Sequence, residues 1–205
     1  SEPAVGVMIV CSGASEKQLT DMLNTLDKYG VKGTFYVTGD FVRRNPERIQ
    51  RIIDAGHELG SHGNNLINMT EVSYARVQEN IRELNDLCEE TFGVRPRLFC
   101  AHLGATNSIV TAIARAEGVE DCLFAIDACD WSDAYKVYQM VYRVTSDRVT
   151  SGCVVQFYIN GYHTAEVLDK ALDNWINVKG LRPVTVGELM QLSGRDFPPL
   201  PDYGD

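Results

Sequence analysis

The chain has 205 residues, of which 44% are hydrophobic, enough for one domain with a substantial buried core. Lys and Arg total 19 against 28 Asp and Glu, a formal charge of -9, which gives no ground for a nucleic-acid or anionic-lipid partner and leaves a neutral polymer compatible. No apolar run approaches the roughly 20 residues of a membrane span and no charged-then-apolar leader opens the chain, so any export signal is expected to have been removed already.

Apolar runs bounded by Gly and polar residues alternate with helical patterns. That order predicts a parallel sheet wrapped by helices. The first strand runs from Val5 to Val10. After a Cys11-Ser12-Gly13 turn, Ser15 and Gln18 form a capping box, and Leu19, Met22, Leu23 and Leu26 recur on one helix face until Gly30. A strand through Thr34, Phe35, Tyr36 and Val37 follows. Asn45 and Pro46 open a helix that buries Ile49, Ile52 and Ile53 and ends at Gly56.

Thr70 is expected to begin a long helix with Val77, Ile81, Leu84 and Cys88 on its buried side. A strand at Arg97 to Cys100 leads through a Gly104 turn to a helix capped by Asn107, with Val110, Ile113 and Ala114 inward. The remaining elements are a strand from Leu123 to Ile126, a helix marked by Val137, Met140, Val141 and Val144, and a strand from Cys153 to Tyr158. A helix carrying Val167, Leu168, Ala171, Leu172, Trp175 and Ile176, a strand from Pro183 to Val186 and a last helix from Glu188 complete the series. The sum is about seven strand-helix units, an irregular α/β barrel short of the usual eight, whose chemistry is expected at the C-terminal ends of the strands. The domain is expected to span residues 1–193, with a Pro-rich tail at 194–205 acting as a strap or a connection.

Six cysteines, at 11, 88, 100, 122, 129 and 153, show no Cys-x-x-Cys pair. Disulfides in an exported protein and buried thiols in a reducing compartment both fit them. Asn68-Met69-Thr70 is a glycosylation sequon, relevant if the chain is secreted.

Gly56-His57-Glu58-Leu59-Gly60-Ser61-His62 resembles the second signature motif of the polysaccharide (chitin) deacetylases, the NodB-homology family of carbohydrate esterases. Residues 31–39, Gly104-Ala105-Thr106-Asn107 and Asp130-Trp131-Ser132 resemble further family segments in the right order. The resemblance implies a NodB-type barrel, a metal-dependent deacetylase ancestry, and a place outside the cell, secreted or at a cell wall or surface. It also implies which positions carry chemistry, and several of them differ here. The family's second motif ends His-Ser/Thr-x-x-His, both imidazoles holding the metal; His62 stands at the first and Leu66 at the second. The first motif, Thr-Phe-Asp-Asp-Gly, supplies the general base and a further ligand; Cys11 and Ser12 stand there. A serine hydroxyl is a poor substitute for an anionic ligand, and a thiol acts as thiolate only where its pKa is depressed.

The third motif, Arg-Pro-Pro-Tyr-Gly, reads Cys100-Ala101-His102-Leu103-Gly104. The orienting Arg has gone, while a backbone oxyanion donor at Leu103 is expected to remain. In the fifth motif the general-acid His is replaced by Tyr158, whose ordinary pKa near 10 suits that task poorly. The fourth is kept as Asp127-Ala128-Cys129-Asp130-Trp131, a buttress in the family. Members of such a constellation act as a unit, so the resemblance implies a degenerate member without metal or other cofactor. His62, His102, Asp130, Trp131 and Tyr158 remain as candidates for a substrate groove. His57 is expected to be packed and hydrogen-bonded.

Two rebuilt sites and their plain alternatives stay open at this point. Cys11, His62, Cys100 and His102 form a zinc or cobalt ligand set if they converge at the barrel mouth, and otherwise fill a vacated pocket. Cys11 and Cys100, replacing an Asp and its partner Arg, are expected to face one another, as a disulfide if their Cα atoms come within about 7 Å. Aromatic stacking by Trp131, Tyr135, Tyr158, Tyr162 and His163 on chitin or another neutral polysaccharide is the third expectation. Three functional classes follow: a non-catalytic glycan-binding or structural domain, a deacetylase with an altered site, and a protein scaffold.

Overall fold

The computed structural model describes residues 2–194. Of the expected tail, only Gly194 falls within them. In chain order the elements are β1 (Ala4–Cys11), α1 (Glu16–Lys28), β2 (Thr34–Val37), α2 (Gly39–Arg44), α3 (Pro46–Asp54), β3 (Glu58–Ser61), α4 (Tyr74–Phe92) and β4 (Leu98–Phe99). A single 3-10 turn at His102–Gly104 leads to α5 (Ser108–Ala116), β5 (Glu120–Asp121), β6 (Ile126–Asp127), α6 (Val137–Thr145), β7 (Val154–Tyr158), α7 (Thr164–Asn177), β8 (Arg182–Val184) and α8 (Val186–Leu192). All strand pairs are parallel.

The sheet runs β5-β4-β3-β2-β1-β7-β6, with β8 paired to β1 off that path. It curls into a partial barrel, open between β5 and β6. Central β1 is buried along its whole length, as a parallel strand covered on both faces must be. Its side chains alternate. Val5, Val7, Ile9 and Cys11 pack outward in the large cluster between sheet and helices, with Leu19, Leu26, Leu172 and Trp175. Met8 and Val10 face the barrel interior with Tyr36, Leu98, Cys100 and Cys122. Tyr36 pairs in register with Gly60, and a Cβ on Gly60 would lie 2.8 Å from the Tyr36 ring, so the ring needs glycine beneath it.

Several element bounds differ from the sequence expectation, each for a local reason. The long helix begins at Tyr74: Asn68 Oδ1 accepts from the Thr70 backbone N–H and hydroxyl, holding residues 68–70 in a turn, and Ser73 caps the helix through Arg76 N–H. Helix α2, capped by Thr38, is too short for a readable period. The strand expected at 123–126 is two short ones on either side of an exposed Leu123. Thr185 caps α8, so the last helix starts two residues before Glu188.

Candidate active site

The C-terminal ends of β1, β3, β4 and β7 bring Ser12, His62, Cys100 and Tyr158 to one rim. Gly63, at φ 86, turns the chain away after His62. The loop beyond it is pinned by Asn80 on α4, whose side chain accepts from Asn65 N–H and donates to its carbonyl. Asn64 accepts from Arg43 and donates to Glu83. This loop leaves Leu66 48% exposed.

His62 is buried. Its Nδ1 lies 2.8 Å from the Cys100 carbonyl oxygen and 3.1 Å from Cys100 Sγ. A carbonyl only accepts, so Nδ1 carries the proton and Nε2 keeps the lone pair. Burial pulls the His62 pKa down to about 4, and nearby His102, its ring 6.1 Å away edge-on, adds to the effect. Burial also lowers the pKa of His102. Both imidazoles are therefore neutral near pH 7, and the acid form that a leaving group requires is scarce.

Cys11 corrects the expectation made for it. It ends β1 on the outward face, beside Ile9 and opposite Val37 in the register, and burial raises its thiol. It does not converge with His62, Cys100 and His102, and it does not face Cys100. Two strands lie between β1 and β4 in the sheet, and Cys100 faces inward in the other cluster. Both cysteines are thiols. The deciding factor is strand periodicity: position 11 shares a face with 5, 7 and 9.

The donor chemistry does not fit the metal that the fold family implies. His62 offers Nε2; a hydroxyl stands at Ser12 and an alkyl chain at Leu66. Among the described residues no group of three or more His, Cys, Asp or Glu side chains is arranged to hold a cation.

On the other flank, Asp130 is fully buried, which removes it from the candidate groove. Its carboxylate accepts from Tyr158 N–H at 3.2 and 3.0 Å and from the Thr164 hydroxyl at 2.7 Å. It thereby joins the end of β7 to the start of α7. Burial raises its pKa to about 7 despite those donors. Asp127 accepts from Cys129 N–H and from Trp131 Nε1. Trp131 is 52% exposed, with Tyr162 exposed beside Asp130, whose carbonyl accepts from Tyr162 N–H. Tyr158 is half-buried against the inner cluster, its phenol pushed up to about 12 by burial. Leu103 takes a left-handed φ of 63 with its side chain exposed, a conformation that costs a non-glycine residue energy. His57 lies at the opposite end of β3, accepting from Gly33 N–H at 3.1 Å. Burial lowers its pKa to about 4.

Asn64 and Asn80, which hold the loop after His62, were not among the sequence candidates, whereas Asp127 was expected as part of the buttress and accepts from Trp131. Asn80 carried a signal, since it interrupts the apolar face formed by Val77, Ile81 and Leu84.

Residues 12–121 match the family model described as polysaccharide deacetylase. The chain belongs to the polysaccharide deacetylase family. Among its relatives is the uncharacterized protein YlxY of Bacillus subtilis, 33% identical over 190 residues, a match covering 92% of this chain and 58% of that protein. Another is the peptidoglycan-N-acetylglucosamine deacetylase PgdA of Listeria monocytogenes, 28% identical over 177 residues, covering 86% of this chain and 37% of that one. The chain thus spans only part of the curated relatives it matches. A solved CE4 family pseudoenzyme from Bacillus anthracis superposes with a TM-score of 0.86 at 24% identity, covering 93% of this chain and 66% of that chain. This family fold is the α/β half-barrel described above. Among the described residues no helix is long and apolar enough to cross a membrane.

Proposed function

We propose that this chain is a polysaccharide deacetylase-family domain that has lost metal-dependent hydrolysis and binds an N-acetylated polysaccharide, chitin or the glycan strand of peptidoglycan, at a cell wall or surface. The observation that carries this reading is the end of β1, where the general base belongs. Cys11 is turned into the helix-facing core and Ser12 is neutral, so no anionic group there can take a proton from water. The rim imidazoles are neutral near pH 7 and so poor acids for a leaving group, and Asp130 is committed to Tyr158 and Thr164. The names of the relatives support the substrate class and the wall association. Precedent for inactivity within the fold is the B. anthracis pseudoenzyme, of which one mutant is described as having restored enzymatic activity.

Binding falls to the exposed aromatic faces of Trp131 and Tyr162, which suit the apolar face of a pyranose ring. The test combines acetate release from peptidoglycan and chitooligosaccharides, with zinc or cobalt added, and retention of the protein on the same polymers. The expected result is no acetate above a protein-free control, with retention that the Trp131→Ala variant loses. Metal-dependent release abolished by His62→Ala would overturn the loss of activity, and absence of retention on every polymer would overturn the binding role.

A further inference from the structure

Every described cysteine is a thiol, and two of them stand where strand geometry brings sulfurs together. β4 and β5 pair Leu98 with Glu120 and Phe99 with Asp121. Glu120 N–H donates to the Arg97 carbonyl at 2.9 Å, and two residues on Cys122 N–H donates to the Phe99 carbonyl at 2.8 Å. The same bond repeated two residues later places Cys122 opposite Cys100, as Glu120 is opposite Leu98. Both side chains belong to the inner cluster with Val10 and Tyr36. Neighbouring strands lie about 4.8 Å apart, inside the roughly 4.4–6.8 Å Cα separation that a disulfide spans. Both residues sit just past the last ladder pair, each held by its own N–H, Cys100 on the Ser61 carbonyl and Cys122 on the Phe99 carbonyl.

The two thiols differ in access. Cys122 lines a cavity of about 410 Å³ on the open side of the barrel, with Leu123, Phe124 and Met190, and its Sγ lies 3.6 Å from Met190 Sδ. Cys100 lies behind it, 3.1 Å from His62 Nδ1.

We propose that Cys100 and Cys122 are an oxidation site: a cross-strand dithiol that a small-molecule disulfide converts into a protein disulfide. Cys122 gives up its proton, and its thiolate attacks one sulfur of oxidised glutathione, expelling a glutathione thiolate. Cys100 then loses its proton and attacks the Cys122 sulfur of the mixed disulfide, expelling the second glutathione thiolate. One S–S bond breaks and one forms in each step. The protein loses two electrons and two protons; the reagent gains both and leaves as two thiols. The His62 N–H beside Cys100 Sγ stabilises the thiolate as it develops. Burial raises the Cys100 thiol well above its usual value, so closure is slow near neutrality and accelerates with pH. The product fastens edge strand β5 to β4 and draws Cys100 Sγ away from His62.

The test incubates the intact chain with excess oxidised glutathione to completion at about pH 8 and at about pH 9.5, the higher pH raising the thiolate fraction, followed by denaturation, alkylation and mass measurement. The expected product carries four alkyl tags in place of the six of the untreated chain. After trypsin, a single bridge joins peptide 98–115 to peptide 116–136, and fragmentation assigns it to Cys100 and Cys122. Cys129→Ser, which alters the other cysteine of that second peptide, is expected to leave the bridge intact, and Cys100→Ser to abolish it. Retention of all six tags, or a bridge through any other cysteine, would overturn the proposal.

Discussion

On the β6–β7–α7 flank of the rim, Asp130 is fully buried yet every donor around it is used: Tyr158 N–H and the Thr164 hydroxyl converge on one carboxylate. On the β1–β3–β4 flank, Cys11 and Cys100 are buried thiols on opposite faces of the sheet, and His62 has turned its N–H onto a strand carbonyl. The two flanks frame one opening but solve different problems. Asp130 ties a strand to a helix, so the fold depends on it whether or not a reaction occurs. Position 11 joins no other element through its side chain, and an apolar thiol fills it without any cost in hydrogen bonding, while position 100 holds only the neutral His62 imidazole.

That contrast is open to direct attack. Cys11→Asp places a carboxylate among Ile9, Val37 and their neighbours, with no partner, and is expected to cost on the order of 4 kcal/mol in urea unfolding. A near-neutral result would mean that β1 can rotate this position to the rim. Asp130→Ala leaves Tyr158 N–H and Thr164 without their acceptor and is expected to cost about 3 kcal/mol by the same measurement. Thr164→Val removes one of those bonds, at about 1 kcal/mol.

The pH dependence separates the flanks without changing the core. For His62 the folded pKa of about 4 lies below the ordinary 6.5, so the unfolded chain binds the extra proton and stability falls as pH drops from 6.5 towards 4. His62→Gln is expected to flatten that limb in part, with His57, also at about 4, and His102, lowered as well, supplying the remainder. Asp130 acts in the opposite sense. Its folded pKa of about 7 lies above the ordinary 3.8, so its contribution is largest in acid and is lost as pH rises from about 4 to about 7. Asp130→Asn is expected to gain stability relative to the parent over that range, whatever its constant offset. Trp131→Ala, at an exposed site, is expected to change stability by no more than about 0.5 kcal/mol while removing retention on glycan.

The fold was legible because its information is local and periodic: the buried alternation of β1, the capping box at Ser15 and the apolar faces of α1, α4 and α7 each appear in consecutive residues. The site was legible only as a set of positions. Nothing in consecutive residues says that Cys100 meets Cys122, because that neighbour is fixed by the register of two two-residue strands. Cys11 was misplaced for a related reason: the family motif assigns its position a catalytic role, while the pleat directs its side chain to the other face. Asp130 was named as a groove candidate although its carboxylate is consumed by Thr164 at the start of α7, a contact 34 residues away in sequence.

The pairing of β8 with β1 has a kinetic consequence. Residues 4–6 are joined in register to 182–184, and Arg182 N–H donates to the Pro3 carbonyl, so the first strand of the barrel is bordered along its lower half by the last. During synthesis the lower half of that β1 edge stays bare until nearly the whole barrel has emerged, although β2 covers its upper half early. Closure then requires a loop spanning most of the sequence, a non-local pairing of the kind that slows folding.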